Sequence, residues 1–137
     1  MTEEMKIKLA TILKDNTKWP LIIEGVSSAN FPTSIVIPAT TPSSELGIIP
    51  SENGLQYPAW ATKIINQSKN SKKVIVCING LDEISQEEQE KFYGMIKYKG
   101  VNGFKFPEEV QIIITVKDTN KISKKILNLA LSVKVEK

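Results

Sequence analysis

The stretch KKVIVCINGLDEIS, Lys72 to Ser85, decides the fold. Val74 to Ile78 is an unbroken apolar run of β-formers, not an alternating one. A strand written this way is covered on both faces, as in a parallel sheet flanked by helices. Asn79-Gly80 ends the run, and the acidic pair Asp82-Glu83 follows at once. Ser85 then opens a helix, with Glu88 three residues on in the capping-box position. Phe92, Met95 and Ile96 lie along one face of that helix.

Moving outward, the same alternation repeats. PLIIEG (Pro20–Gly25), TSIVIPA (Thr33–Ala39), KKVIVCING (Lys72–Gly80), VQIIITV (Val110–Val116) and the alternating LSVKVE (Leu131–Glu136) read as strands. Helical patterns fall between and before them. Met5, Ile7, Leu9, Ile12 and Leu13 form one apolar face, and Pro58 opens a second helix through Trp60, Ile64 and Ile65. Ile122, Ile126, Leu127 and Leu129 mark a last one. Strands alternating with helices predict an α/β fold, a three-layer sandwich around a mainly parallel sheet of about five strands. The Lys72–Gly80 strand should be central or next to the centre, with Ile75, Cys77, Ile112 and Ile114 buried. Ala39–Gln56 reads as a loop with a short helical turn, and Asn102-Gly103 within Lys97–Glu109 signals a hairpin. At 137 residues the chain is expected to be one domain, residues 1–137.

Composition narrows the chemistry. There is no histidine, and all 18 basic residues are lysines. Histidine acid–base chemistry, histidine metal ligation and an arginine finger are therefore outside this chain's own means. The single cysteine, Cys77, lies in an apolar run and reads as a small buried hydrophobe. With no second cysteine and no secretory pattern at the N-terminus, the expected location is cytoplasmic. No apolar run approaches the ~20 residues that span a bilayer, so no membrane association is expected. A net charge of +3 is modest for a dedicated nucleic-acid binder.

The order of motifs carries a resemblance. A strand ending in Asp82-Glu83, the Glu- and Gln-rich helix SQEEQEKFYGMI, a hairpin and then FPEEVQIIITVKD resembles the second half of an AAA+ ATPase module, most closely the MoxR-like branch. ENGLQYPAWATKII (Glu52–Ile65) resembles the segment that leads into the Walker B strand in that family. NGLDE also resembles the Asp-Gly-Leu-Asp-Glu of STAND and NACHT ATPases, with Asn79 in place of the first aspartate. The resemblance spans about residues 18–135. It implies that Asp82 and Glu83 hold Walker B-like positions and that Thr115, or else Asp118, holds the sensor-1-like one.

The departure from the family is as informative. A P-loop needs Gly-x-x-x-x-Gly-Lys-Ser/Thr between the first strand and a helix, because backbone N–H groups and the lysine hold the phosphates. Here EGVSSANFPTSIVI (Glu24–Ile37) contains one glycine, and no lysine occurs between Lys18 and Lys63. Pro32 and the next strand leave no room for the helix behind such a loop. The resemblance then implies a truncated P-loop NTPase-like core that binds no nucleotide or other cofactor. Asp82 is expected to cap the following helix or to accept loop amides.

Three functions compete. The first is a non-catalytic AAA+-like module, not an enzyme, acting through a protein partner such as an ATPase ring or through self-association. Its contact residues would be Phe31, Ile48, Ile49, Leu55 and Tyr57, which border the shortened corner. The second is a nucleic-acid-binding accessory protein. It would use KNSKK (Lys69–Lys73, with Lys72 and Lys73), KISKK (Lys121–Lys125), and Lys97, Lys99 and Lys105 interleaved with Tyr98 and Phe104. The third is a divalent-metal-dependent enzyme in which Asp82, Glu83 and Asp118 hold a hard cation.

Overall fold

The computed structural model describes residues 3–4, 6–8, 11, 19–31, 35–46, 49–51, 54–69, 74–101, 104–107 and 110–135, with the backbone alone for 49–51, 54–56, 101 and 104. Five strands form one parallel sheet in the order β2-β5-β8-β1-β9. They are β1 (Leu21–Glu24), β2 (Ile35–Pro38), β5 (Val74–Asn79), β8 (Val110–Val116) and β9 (Leu131–Lys134). All four neighbouring pairs are parallel. β8 is the middle strand and is buried along its whole length, which is why it is written as an apolar run. β5 lies beside it.

Side chains alternate across the sheet, and both faces are buried. One face carries Ile22, Val76, Ile78, Ile112 and Ile114, packed under Trp60, Ala61 and Ile64, Phe92, Met95 and Ile96, and Ile126. These belong to the helices Ala59–Ser68, Gln86–Tyr98 and Lys124–Leu127. The other face buries Leu21, Ile23, Cys77 and Ile113 against Phe31 and Val135. Ile75 sits on this second face only partly buried; the described pairing of β2 with β5 begins one residue later, at Val76. Burial of side chains this size contributes about 1.5–3 kcal/mol each. The described helical residues near the N-terminus, Ile7 among them at 65% exposure, face solvent. Met5, Leu9, Ile12 and Leu13 lie outside the described residues.

Local chemistry sets the boundaries. The Ser85 hydroxyl accepts the Glu88 N–H at 3.2 Å and starts the Gln86–Tyr98 helix where its sequence placed it. That helix ends on Lys99 in the left-handed region (φ 51°), whose N–H returns to the Met95 carbonyl. β6 (Gly100–Val101) and β7 (Phe104–Lys105) then pair antiparallel, the hairpin that Asn102-Gly103 signalled. Two segments differ from expectation. Within Ala39–Gln56 the short helical turn is Ser43–Glu45, but β3 (Ile49–Ser51) and β4 (Gly54–Gln56) also form a hairpin. Pro50 at its centre masks the strand signal, since proline lacks an N–H for a ladder. The final helix is only Lys124–Leu127, because the Ser123 hydroxyl caps it late, accepting the Ile126 N–H.

Among the described residues no helix is long and apolar enough to cross a membrane.

Candidate functional site

Parallel sheets place ligands at the carboxyl ends of their strands. Here that edge is made by the exits of β1, β5 and β8. The register sets Asn79 beside Thr115 and Glu24 beside Val116. Gly80 then leaves β5 at φ +76°, a left-handed turn that suits glycine. Its N–H donates to both the Thr115 carbonyl (3.0 Å) and the Thr115 hydroxyl oxygen (3.2 Å). The 3-10 turn Leu81–Glu83 buries Leu81 and sends Asp82 toward the end of β8.

What Asp82 does there is specific. Its Oδ2 accepts the N–H groups of Lys117 and Asp118 at 2.9 and 3.0 Å. These are the first two residues after β8. The next residues are held in the same way. Glu24 Oε1 accepts the Thr119 N–H (2.9 Å) and hydroxyl (3.3 Å), while Lys134 lies 3.8 Å from Oε2. Gln89 is fully buried. Its Nε2 donates to the carbonyls of Ile84 (3.2 Å) and Lys121 (2.9 Å), and its Oε1 accepts the Ser123 N–H at 2.8 Å. Three side chains from three elements thus fix the segment from Lys117 to Ser123.

Asn79 performs the equivalent task on the other side. Its Oδ1 accepts the Thr115 hydroxyl at 2.8 Å and the Ser28 N–H at 2.9 Å. Ser28 opens the 3-10 turn Ser28–Asn30, which follows the turn at Gly25. The exit of β1 is therefore tied to β5 and β8 through one amide oxygen.

The remaining candidates fall in different places. Glu83 is exposed, and its carboxylate lies over Gly80. Among the described residues no three acidic or cysteine side chains come together to hold a metal ion, so Asp82, Glu83 and Asp118 do not form the cation site of the third reading. Asp118 instead accepts the Asn120 N–H and caps its own turn. Phe31 is 8% exposed and packs against the second face of the sheet, so it fills the corner and does not stand out as a contact residue. Ile48 lies outside the described residues, as do the side chains of Ile49 and Leu55. Tyr57 is 41% exposed and lines a groove of about 450 Å³ with Val36, Pro38, Trp60 and Lys63.

Among the described residues the lysine clusters do not converge. Lys124 and Lys125 border a cleft of about 760 Å³ near the start of the Gln86–Tyr98 helix, and Lys125 pairs with Glu90 at 3.4 Å. Lys97, Tyr98 and Lys99 sit at that helix's far end. The Lys97 ammonium lies 5.7 Å from the Tyr93 ring and 5.3 Å from the Tyr98 ring. Tyr93, and after it Tyr98, push the Lys97 ammonium's pKa up. Lys72 and Lys73 lie outside the described residues. Cys77 is fully buried; burial pushes its thiol up to about 12, against a smaller downward pull from the Thr115 hydroxyl.

Gln89, Glu24 and Ser28 were not singled out by sequence reasoning. Gln89 had a usable signal, since at 89, 92 and 96 it shares the apolar stripe of its helix with Phe92 and Ile96. A polar residue on such a stripe needs partners.

No protein-family model and no curated protein sequence matches this chain. Among solved structures, it is similar to a DNA polymerase III gamma subunit-related protein from Thermotoga maritima. The sequence identity is 14%, the TM-score 0.53, and the match covers 95% of this chain and 45% of that one. The chain thus spans less than half the length of that protein. At this identity the likeness speaks for the fold alone, a five-stranded parallel α/β sheet.

Proposed function

We propose that this chain is a non-catalytic AAA+-like module of the cytoplasm that works through protein–protein contacts, with an ATPase partner or a second copy of itself. The observation that carries the reading is the bond from the Ser28 N–H to Asn79 Oδ1 at 2.9 Å. A phosphate cradle needs free backbone N–H groups and a lysine directly after the first strand, with a helix dipole behind them. Here the connection from β1 to β2 holds a 3-10 turn of three residues, and its amide already has a protein acceptor. The acidic pair is engaged similarly. Asp82 Oδ2 is filled by two backbone N–H groups, which favours a role in holding the β8 exit over one in holding Mg²⁺.

A contact surface consistent with this reading lies beside β2. Val36 and Tyr57 are each 41% exposed there. The Ala39 N–H bonds to the Asn79 carbonyl, so alternation turns Val36 and Pro38 outward from β5. Pro38 has no N–H, and its carbonyl accepts the Thr41 N–H at 2.9 Å. Association through this edge would therefore rest on side chains and not on added strands.

Calorimetric titration with Mg-ATP tests the nucleotide half. No heat of binding is expected at millimolar nucleotide, and micromolar affinity would overturn it. Val36→Asp with Tyr57→Ser tests the contact half. The pair should abolish association, seen by light scattering or with a co-purifying ATPase, while leaving the melting temperature nearly unchanged. Association that survives both changes would remove this surface from the proposal.

A further inference from the structure

We propose that the hairpin end of the Gln86–Tyr98 helix binds single-stranded nucleic acid, with the Tyr98 ring as a stacking platform and the exposed Lys97 and Lys105 as phosphate contacts. Tyr98 is 66% exposed, more than any other large hydrophobic or aromatic side chain described. An aromatic ring presented to water costs hydration, and bases offer it a flat partner. The lysines are placed by backbone geometry. The left-handed cap at Lys99 reverses the chain, and the Phe106 N–H bonds the Lys99 carbonyl at 2.8 Å. β6–β7 pairing then sets Lys105 opposite Gly100, immediately beside Lys99. Lys97 is already held over Tyr93 and Tyr98, so less of its freedom is lost on meeting a phosphate.

Charge complementarity selects the occupant. The carbonyls at a helix C-terminus repel anions, and the exposed Lys97 and Lys105 offset that repulsion. The helix's own carboxylates, Glu87, Glu88 and Glu90, lie in its first turns, at the other end. Glu108 and Glu109, beyond the hairpin, lie outside the described residues. An exposed ring needs an unstacked base, which a single strand offers and a duplex does not. Stacking tolerates any base, so binding should be indifferent to sequence.

Fluorescence anisotropy with a labelled 20-mer oligothymidylate and the full chain tests this. The expected result is binding at about 50 mM salt that weakens by 200 mM, with a log–log slope of about −1.4 for about two phosphates. Tyr98→Ala should weaken binding by about 5- to 100-fold and leave the slope unchanged. The double variant Lys97→Gln, Lys105→Gln should bring the slope close to zero. Circular dichroism melts should confirm that both variants fold. Absence of binding at 50 mM salt overturns the proposal. So does binding that these variants leave unchanged, or a 20-base-pair duplex bound as tightly as the single strand.

Discussion

Gln89→Met is the sharpest perturbation of the segment that follows β8. Methionine matches glutamine in length, helix propensity and flexibility, so packing and helix formation change little. What is lost is polar. The carbonyls of Ile84 and Lys121 lose their donor, and the Ser123 N–H loses its acceptor. Gln89 itself is fully buried and its bond with the Ser123 N–H is buried, while those to the Ile84 and Lys121 carbonyls are partly buried. A buried polar group left unsatisfied costs about 1–3 kcal/mol. One buried group and two partly buried ones give a loss on the order of 2–4 kcal/mol, a large part of the ~5–15 kcal/mol that holds a domain together. Equilibrium unfolding in urea at pH 7 measures it, and hydrogen exchange at the Ser123 amide localises it. A loss below about 1 kcal/mol, or unchanged protection at Ser123, would refute the claim that Gln89 holds this segment.

Gln89→Glu adds a test with a sign. A carboxylate there still accepts the Ser123 N–H but faces two carbonyl oxygens. Burial and those oxygens raise its folded-state pKa above the ordinary ~4.3. A raised folded pKa means that stability is fully present below the unfolded value and is lost as pH rises through the folded one. The Glu variant should therefore approach the wild type near pH 4 and fall away toward pH 7. The Gln89→Met deficit should stay constant across that range. A Glu variant as stable at pH 7 as at pH 4 would contradict the described geometry.

Three other outcomes are expected. Asp82→Ala should cost about 1–3 kcal/mol by leaving the Lys117 and Asp118 amides to water, and Asp82→Asn less than about 1, because an acceptor remains. If Mg²⁺ stabilises the wild type but not Asp82→Asn, Asp82 holds metal after all. Gly25→Ala should be more damaging than Gly80→Ala in thermal melts. At Gly25 (φ +98°) a Cβ would come 2.6 Å from the Val135 carbonyl oxygen, which is backbone. At Gly80 the obstacle is the movable Glu83 carboxylate, leaving mainly the ~1–2 kcal/mol of left-handed strain. The Cys77 thiol, pushed up to about 12 by burial, should resist aromatic disulfide reagents at pH 8 until the protein unfolds. Its contribution to stability is present below the ordinary thiol value of ~8.5 and lost as pH climbs toward 12, a loss that Cys77→Ala should flatten.

The strands were legible because their burial is two-sided and continuous. Val110–Val116 is apolar almost throughout, and no other role suits such a run between turn signals. The Ser85 cap and the Asn102-Gly103 hairpin were legible because each rests on chemistry within a few residues. The short final helix was not. Ile122, Ile126, Leu127 and Leu129 have helical spacing, but the segment before Ser123 is held open by Asp82, Glu24 and Gln89. Those partners are 32 to 95 residues away in sequence, and periodicity cannot see them. Phe31 was ambiguous between plugging the corner and meeting a partner for a related reason. Whether a loop phenylalanine faces water or a sheet depends on what the shortened β1–β2 connection leaves uncovered.

A strand that ends in Asp-Glu is commonly taken as a sign of phosphate chemistry, and this chain offers a second reason for the aspartate. When two parallel strands lie side by side, the chain leaving the second must turn, and its first N–H groups have no ladder partner. The Asn79–Thr115 register places the turn after β5 next to the exit of β8. A residue three positions past Asn79 is then within reach of those N–H groups, and a carboxylate is the strongest neutral-pH acceptor available. Asp82 fills that place with two bonds, on backbone alone and without any ligand. Among the described residues Glu83 has no comparable engagement, and it stands exposed over Gly80. The two acids are therefore separable. Replacing Asp82 should loosen the β8 exit whether or not nucleotide is ever bound, whereas Glu83→Gln should leave stability within about 0.5 kcal/mol of the wild type, as for other surface changes. Equal losses from both substitutions would mean that the pair acts as a unit, and the structural account of Asp82 would then fail.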